Sequence, residues 1–390
     1  MAAATAMRKQ FSPDMAAAAL DQVSLRRRAH RKFAERSEKM WFTHDGMEQA
    51  SRPAVAAWRA RRFTDQRVRR VVDLCCGIGA DAMETCARGL EVVCAELDPV
   101  TAAFAARNLA LVASRVELLN GGQQQVIEGA GGAGAAMARV VAGDATGLVD
   151  ELAADSQTLV FIDPARRDGR GRSWNIKDLC PSWDFVTGLL ARPNPVCVKL
   201  GPGLPREIIP DGVEACWVSD AGDVVEVGLW RGGSATHTPG TAAGRFHSTA
   251  HLLPADIDVT GFDDDRPVSA PGSFLLEPDG AVIRARALAA VHPDARPLAP
   301  SVAYLTVDEP VTTPLAVCYE ICEVLDAGEK QLRAWVRDNR IGILEIKKRA
   351  VDIDPAQLRR RLRPKGPNHA TLVLTRTVDG LRALVVRRIG

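Results

Sequence analysis

From residue 67 onward, short apolar runs alternate with amphipathic, alanine-rich segments, and this rhythm predicts strands alternating with helices. VRRVVDLCC (68–76) reads as a strand, ADAMETCARG (80–89) as a helix stopped by Gly89, and LEVVCAELD (90–98) as a second strand. PVTAAFAARNLALVA (99–113) follows as a helix with proline at its start. VVAGDAT (140–146), QTLVFIDP (157–164) and PVCVKLGPG (195–203) supply three further strands, and 177–190 a helix interrupted near Pro181. EACWVSDAGDVVEVGLW (214–230) reads as two strands joined by a turn at Ala221–Asp223. Continuous apolar strands separated by helices predict a parallel sheet covered on both faces, and the closing hairpin adds an antiparallel edge.

Outside this stretch the pattern changes. Residues 14–62 predict helix, first over 16–36 and again over 46–62 after THDG. The segment 120–137 is Gly/Ala-rich and predicts an insertion loop. Residues 231–300 are turn-rich with scattered short strands. Order returns with a helix over 326–339, a strand over 341–349, a helix over 354–362, and strands over 369–377 and 381–389 joined by VDG. The chain therefore divides into a helical N-terminal extension (1–66), an α/β domain (67–232), a connecting region (233–300) and a small α+β domain (301–390).

Composition narrows the class. An apolar fraction of 46% and a charged fraction of 25% fit a globular protein, and a net charge of +2 gives no global argument for nucleic acid. Nine cysteines in 390 residues are too sparse for a disulfide scaffold and predict reduced thiols. No apolar run reaches membrane-spanning length and the N-terminus lacks a signal-peptide pattern, so a cytoplasmic protein with no membrane partner is expected. Oligomeric state is not legible. No spacing of His, Cys, Asp or Glu argues for a metal; His247 and His251 lack a third ligand.

Candidate chemistry collects at strand ends, where open α/β sheets bind ligands. The first strand delivers Asp73 and then Gly77-Ile78-Gly79 at the start of a helix. The second ends in Glu96 with Asp98 beyond it, and the third in Asp144. A carboxylate on the second strand suits ribose hydroxyls, and one on the third suits an adenine amine. A dinucleotide fold is the rival, but the third glycine of its fingerprint is replaced by Ala82. Asp73 beside the turn favours an ammonium and repels a pyrophosphate, which points to S-adenosylmethionine.

The stretch VVDLCCGIGADAMETCARGLEVVCAELDPVTAAFAARNLAL resembles the first two motifs of the class I S-adenosylmethionine-dependent methyltransferases. Cys75 stands where the commoner Gly-x-Gly-x-Gly has its first glycine, as in the RNA-acting branch that includes trimethylguanosine synthase-like enzymes. KFAERSEKMWFTHDGMEQAS (32–51), FIDPARR and ILEIKKRAVDIDPAQLRRRLRPKGP (343–367) together resemble bacterial methyltransferases with a C-terminal THUMP-like domain. The resemblance implies a Rossmann-like, seven-stranded sheet. It places Asp73, Cys75, Gly77 and Gly79 around the methionine end of the cofactor, Glu96 at the ribose with Asp98 nearby, and Asp144 at the adenine.

The fourth strand ends in Asp163-Pro164, where this fold brings the methyl group to its acceptor. Amine methyltransferases often carry Asp/Asn-Pro-Pro-aromatic there; this chain keeps the first half and continues Ala165-Arg166. Asp163 and Pro164 are the expected catalytic residues. Arg166, Arg167, Arg170 and Arg172 could steer phosphates, and Trp174 is the nearby stacking candidate. A cysteine mechanism through Cys180 or Cys197 lacks a supporting motif. Lys347, Lys348 and the arginines of 359–363 concentrate positive charge in the last domain, and THUMP resemblance implies RNA. The expectation is methylation of structured RNA, tRNA or rRNA. A small-molecule or protein acceptor, or a non-catalytic RNA-binding protein, remain the alternatives.

Overall fold

The computed structural model describes residues 10–132, 135–166, 176–232, 246–262 and 266–389. They form two units, Met1–Ala215 with Glu226–His247, and Cys216–Val225 with Ser248–Gly390.

The first unit opens with three helices. α1 (Pro13–Phe33) is started by Ser12, whose hydroxyl accepts from the Met15 amide at 3.3 Å, with Pro13 at the first helical position. The helix expected over 46–62 is two: α2 (His44–Gln49), capped by Thr43, and α3 (Pro53–Asp65). Pro53 explains the break, because it disfavours helical backbone at the residue before it and can only begin a new helix.

Strands and helices then alternate: β1 (Arg70–Leu74), α4 (Ala80–Ala87), β2 (Glu91–Glu96) and α5 (Pro99–Leu109). β3 (Arg115–Asn120), β4 (Gln123–Glu128), β5 (Met137–Ala142), α6 (Ala145–Leu152) and β6 (Thr158–Ile162) follow. A two-residue ribbon of β7 (Ala165–Arg166) and β8 (Leu179–Cys180) precedes α7 (Trp183–Leu190) and β9 (Val196–Leu200). β10 (Glu214–Asp220) and β11 (Asp223–Arg231) close the region.

In the first unit the strand order is β11-β9-β6-β1-β2-β5-β3-β4. Neighbours from β9 to β3 are parallel, β11 pairs antiparallel with β9, and β4 is an antiparallel edge. The sheet thus exceeds the seven strands expected. Two of the surplus strands, β3 and β4, come from 115–128, part of which has the composition of a loop. Gly121 and Gly122 both have positive φ, 57° and 79°, and make the tight turn of a hairpin instead. β4 is not legible in the sequence because its run QQQVIE is an exposed edge in which only Ile127 is buried, so it has no apolar alternation to read.

One core joins α1, α4 and α5 to β2, β3 and β5 through Leu25, Met83, Leu109, Val92, Val116 and Val140. α3 adds an aromatic layer: the Phe63 ring lies 5.6 Å from Phe161 and 5.7 Å from Trp230. The N-terminal helices therefore bury apolar surface against the sheet and its flanking helices.

The second unit contains the hairpin of β12 (His247–Leu253) and β13 (Ile257–Thr260), then β14 (Phe274–Pro278), α8 (Gly280–Arg284), β15 (Arg296–Pro297) and β16 (Leu305–Val307). β17 (Ala316–Asp326), α9 (Glu329–Asp338), β18 (Ile341–Arg349), α10 (Pro355–Leu362), β19 (Asn368–Thr377) and β20 (Gly380–Ile389) complete it. A seven-stranded sheet runs β15-β16-β14-β17-β20-β19-β18. Its period of two is visible in the cores: Leu372, Leu374, Ala383 and Val385 meet Leu332, Val336, Leu358 and Leu362 of α9 and α10, while Val373, Leu384 and Val386 join Leu275, Tyr304 and Tyr319. Among the described residues no helix is long and apolar enough to cross a membrane.

Candidate active site

The chain builds outward from β1 through β2 and β5, then returns to the other side of β1 with β6 and β9. A crevice at the carboxyl ends beside β1 is where such a sheet binds ligands. The register fixes what lines it. Leu74 lies opposite Ala95 and Ile162, so Cys75, Glu96 and Asp163 come next along three adjacent strands. Ile162 in turn lies opposite Val198, which sets Asp163 beside Lys199.

Asp73 sits two residues below this rim and is 1% exposed. Neither of its carboxylate oxygens has a hydrogen-bond partner among the described residues. Burial, then the negative charges of Asp81 and Asp163, pushes its carboxyl well above the usual range. A buried carboxyl without partners is costly and calls for a cation or a cluster of donors from outside the chain.

The turn after β1 is shaped for close approach. Cys75, Gly77 and Gly79 have φ of 63°, 56° and 77°. The left-handed conformation at Cys75 is why a glycine is usual at that place. A Cβ on Gly79 would make only an ordinary 3.4 Å contact with the Ala105 backbone, so it is the left-handed φ that calls for glycine there. The Gly77 amide donates to Glu96 Oε2 at 2.9 Å and the Asp98 amide to Oε1 at 3.0 Å, leaving Glu96 oriented and partly exposed. A carboxylate has further lone pairs for two hydroxyls.

Asp98 and Asp144 are both helix caps. Asp98 accepts from the Thr101 amide at 2.8 Å, and Asp144 from the Thr146 amide and hydroxyl, each at 2.8 Å. Both are exposed at the rim. Leu97 and Val100, large and exposed beside Glu96, offer an apolar surface there.

Asp163 pairs with Lys199, and Pro164 is buried behind it. Of Arg166 the backbone alone is described; Arg167, Arg170, Arg172 and Trp174 lie outside the described residues. In the second unit Lys347 and Lys348 point differently. Lys347 donates to Glu277 at 2.5 Å and to the Tyr319 hydroxyl at 2.8 Å, whereas Lys348 is exposed with Arg359, Arg360, Arg363 and Lys365.

Sequence reasoning missed a buried charge network under the rim. Arg59 of α3 is 1% exposed and pairs with Asp81, which follows the glycine turn, and with both oxygens of Glu226 at 2.5 Å. The Ser51 hydroxyl donates to Asp81 at 2.8 Å. Burial works against the Asp81 carboxylate, yet Arg59 and Lys199 outweigh it and hold its carboxyl below the usual range. Burial likewise opposes charge on Lys199, but Asp163, Asp81 and Glu226 keep the ammonium protonated. The signal for Lys199 was present: a lone cation in the otherwise apolar strand PVCVKL. Arg59 carried no such signal, being one arginine of several in an amphipathic helix.

The cysteines here are thiols. Burial, then Glu96, pushes Cys75 up, and burial pushes Cys197 well up. Among the described residues no group of three or more His, Cys, Asp or Glu could hold a metal ion.

A doubly wound sheet with an orphaned carboxylate and a left-handed turn at β1, an oriented acid at β2, and an Asp-Pro after β6 is the arrangement of a class I S-adenosylmethionine-dependent methyltransferase. The chain is 30% identical over 387 residues to the uncharacterized S-adenosylmethionine-dependent methyltransferase MT3122 of Mycobacterium tuberculosis CDC 1551, with 96% of each chain covered. The same figures hold for Rv3037c of strain H37Rv. The chain belongs to this family of S-adenosylmethionine-dependent methyltransferases. Residues 316–388 match the THUMP domain-like family, and residues 1–29 a domain of unknown function. A crystal structure from Porphyromonas gingivalis W83, described as a candidate methyltransferase, superposes with a TM-score of 0.72 at 21% identity, covering 97% of this chain and 92% of that one.

Proposed function

We propose that this methyltransferase modifies structured RNA, tRNA or rRNA, with the acceptor oriented by Asp163 and Pro164. The observation that carries the site reading is the shared rim of Cys75, Glu96 and Asp163, with the orphaned Asp73 two residues below. On this reading Asp73 takes the ammonium of S-adenosylmethionine, the 75–79 turn follows its methionine end, Glu96 takes the ribose and Asp144 faces the adenine. The cofactor supplies an already activated methyl group, so the chain's task is alignment and removal of one proton. Asp163 is the carboxylate placed for that proton.

The RNA reading rests on the THUMP-like match together with the exposed cations Lys348, Arg359, Arg360, Arg363 and Lys365. The test is transfer of labelled methyl from S-adenosylmethionine to total RNA, protein and metabolites of cells lacking the enzyme. Label on RNA, absent with Asp163→Ala, is expected. Label confined to protein or metabolites overturns the RNA reading. Charge reversal at Lys348 and Arg360 should weaken RNA binding and reduce its salt slope by about one for each phosphate no longer neutralised.

A further inference from the structure

We propose that Lys199 is a positioning residue for methyl transfer: it fixes the Asp163 carboxylate so that one oxygen is presented to an acceptor that gives up a proton. The proposal rests on the reading of Asp163 as the residue that meets the acceptor. Lys199 comes to Asp163 through the register of two parallel strands, Ile162 opposite Val198, so the pairing is set by backbone hydrogen bonds and not by a flexible loop.

The pair is asymmetric. The Lys199 side chain is 11% exposed and that of Asp163 is 36% exposed, so the ammonium lies beneath and the carboxylate at the surface. Lys199 holds Oδ2, and among the described residues Oδ1 has no hydrogen-bond partner. A carboxylate tethered by one oxygen keeps the other at a defined position. The groups acting on Lys199 are Asp163, Asp81, Glu226 and Arg59, with Lys32 of α1 as a further cation and the buried Asp73 as a further carboxyl. Arg59 already pairs with Asp81 and Glu226, which leaves Asp163 as the carboxylate in direct contact with Lys199. Burying a lysine in a strand end costs more than an apolar residue there would, and a pair of this kind stabilises a fold little. Its position at the reacting rim gives it a use.

The acceptor this arrangement selects is an N–H or O–H group. Its lone pair forms the bond to the methyl carbon as the carbon–sulfur pair returns to sulfur, and its proton passes to Asp163 and then to water. Ring nitrogens without a proton gain nothing from such a carboxylate.

The experiment uses the full chain, labelled S-adenosylmethionine, and whichever of the RNA, protein or metabolite fractions the wild type labels. Lys199→Met should lower turnover about 100-fold, while cofactor affinity, measured by calorimetry, falls by much less, because Lys199 meets Asp163 directly and acts on Asp73 only through its charge. The acid limb of its pH–rate profile should move upward, because removing a cation makes a neighbouring carboxylate harder to ionise. Lys199→Arg should recover part of the rate. Turnover within threefold of wild type in Lys199→Met, or a slower rate without movement of the acid limb, overturns the proposal; the threefold bound lies well inside the roughly 100-fold effect expected. Should that variant not fold, Asp163→Asn combined with Lys199→Met leaves no uncompensated carboxylate. Its rate should equal that of Asp163→Asn alone, and a further tenfold fall, about 1.4 kcal/mol of barrier, would show Lys199 acting apart from Asp163 and overturn the proposal. Wild-type rate in Asp163→Asn would instead sink the reading of Asp163, and with it this one.

Discussion

Gly46 of α2 lies against Ile78 of the turn after β1 so closely that a Cβ on it would stand 2.4 Å from Ile78 Cγ2 and 2.7 Å from Thr43 Oγ1. Ile78 is buried between the two glycines and cannot yield without shifting the turn. Gly46→Ala should therefore destabilise the protein by about 1–3 kcal/mol, although alanine is the better helix former. Cofactor affinity should fall with it. Thermal unfolding and calorimetric titration measure the two effects.

On its proposed role at the cofactor's ammonium, Asp73 sets stability against binding. Its carboxyl is raised in the fold, so the folded chain holds a proton that the unfolded chain has released. Stability then falls as pH rises from the unfolded value of about 4 toward the folded one. Asp73→Asn should raise the melting temperature of the cofactor-free protein at neutral pH by a few degrees, roughly 1 kcal/mol, and abolish cofactor binding. In the wild type, cofactor affinity should increase with pH over the same window, because the ammonium needs the ionised carboxylate. Differential scanning calorimetry and binding isotherms across pH test both signs; a less stable Asp73→Asn protein would contradict the argument.

Lys32 of α1 donates to the carbonyls of Met47 and Glu48 at 3.1 and 3.0 Å. Burial, then the charge of Lys199, lowers its pKa to about 8. With the folded value below the unfolded one, its contribution to stability rises with pH from about 8 upward until the unfolded chain also loses the proton. Competitive acetylation across pH, read by mass spectrometry, should give a midpoint near 8 at Lys32, with ordinary surface lysines titrating near 10.4.

Removing the Arg59 guanidinium leaves Asp81 and Glu226 without their shared counter-charge in the interior. Arg59→Met should cost about 3–5 kcal/mol in chemical denaturation, near the limit for a single change. Arg59→Lys should recover little, because a point charge cannot serve Asp81 and hold both oxygens of Glu226.

The parts of this molecule legible in sequence were those encoded by local pattern. β1, β2, β6 and β9 are continuous apolar runs, and β18, β19 and β20 were legible to within a residue. β4 was hidden because a polar edge strand has no hydrophobic period, and β17 because its exposed half, with Glu320, Cys322 and Glu323, breaks the alternation. The candidate site residues Asp73, Glu96, Asp144 and Asp163 were legible as candidates because each lies at or just beyond a strand end. The network of Arg59, Asp81, Glu226 and Lys199 is joined across 167 positions of chain between Arg59 and Glu226, and such pairing is a property of the sheet order, not of any stretch of sequence.

Asn108 on α5 carries a consequence for where this enzyme can be cut. Its side chain accepts from the Trp41 amide at 2.7 Å and donates to the carbonyls of Trp41 and Ile78 at 2.9 and 2.8 Å. It stitches the N-terminal helices to the turn after β1 within a single core. A chain begun at Arg67, where the strand–helix alternation starts, would strip the cover from Ile78, Met83 and Leu109 and leave the Asp81 carboxylate without Ser51 and Arg59. The smallest catalytic fragment must therefore begin in or before α1, and a library of truncations should lose soluble expression abruptly, not by degrees, as the start site passes through α1.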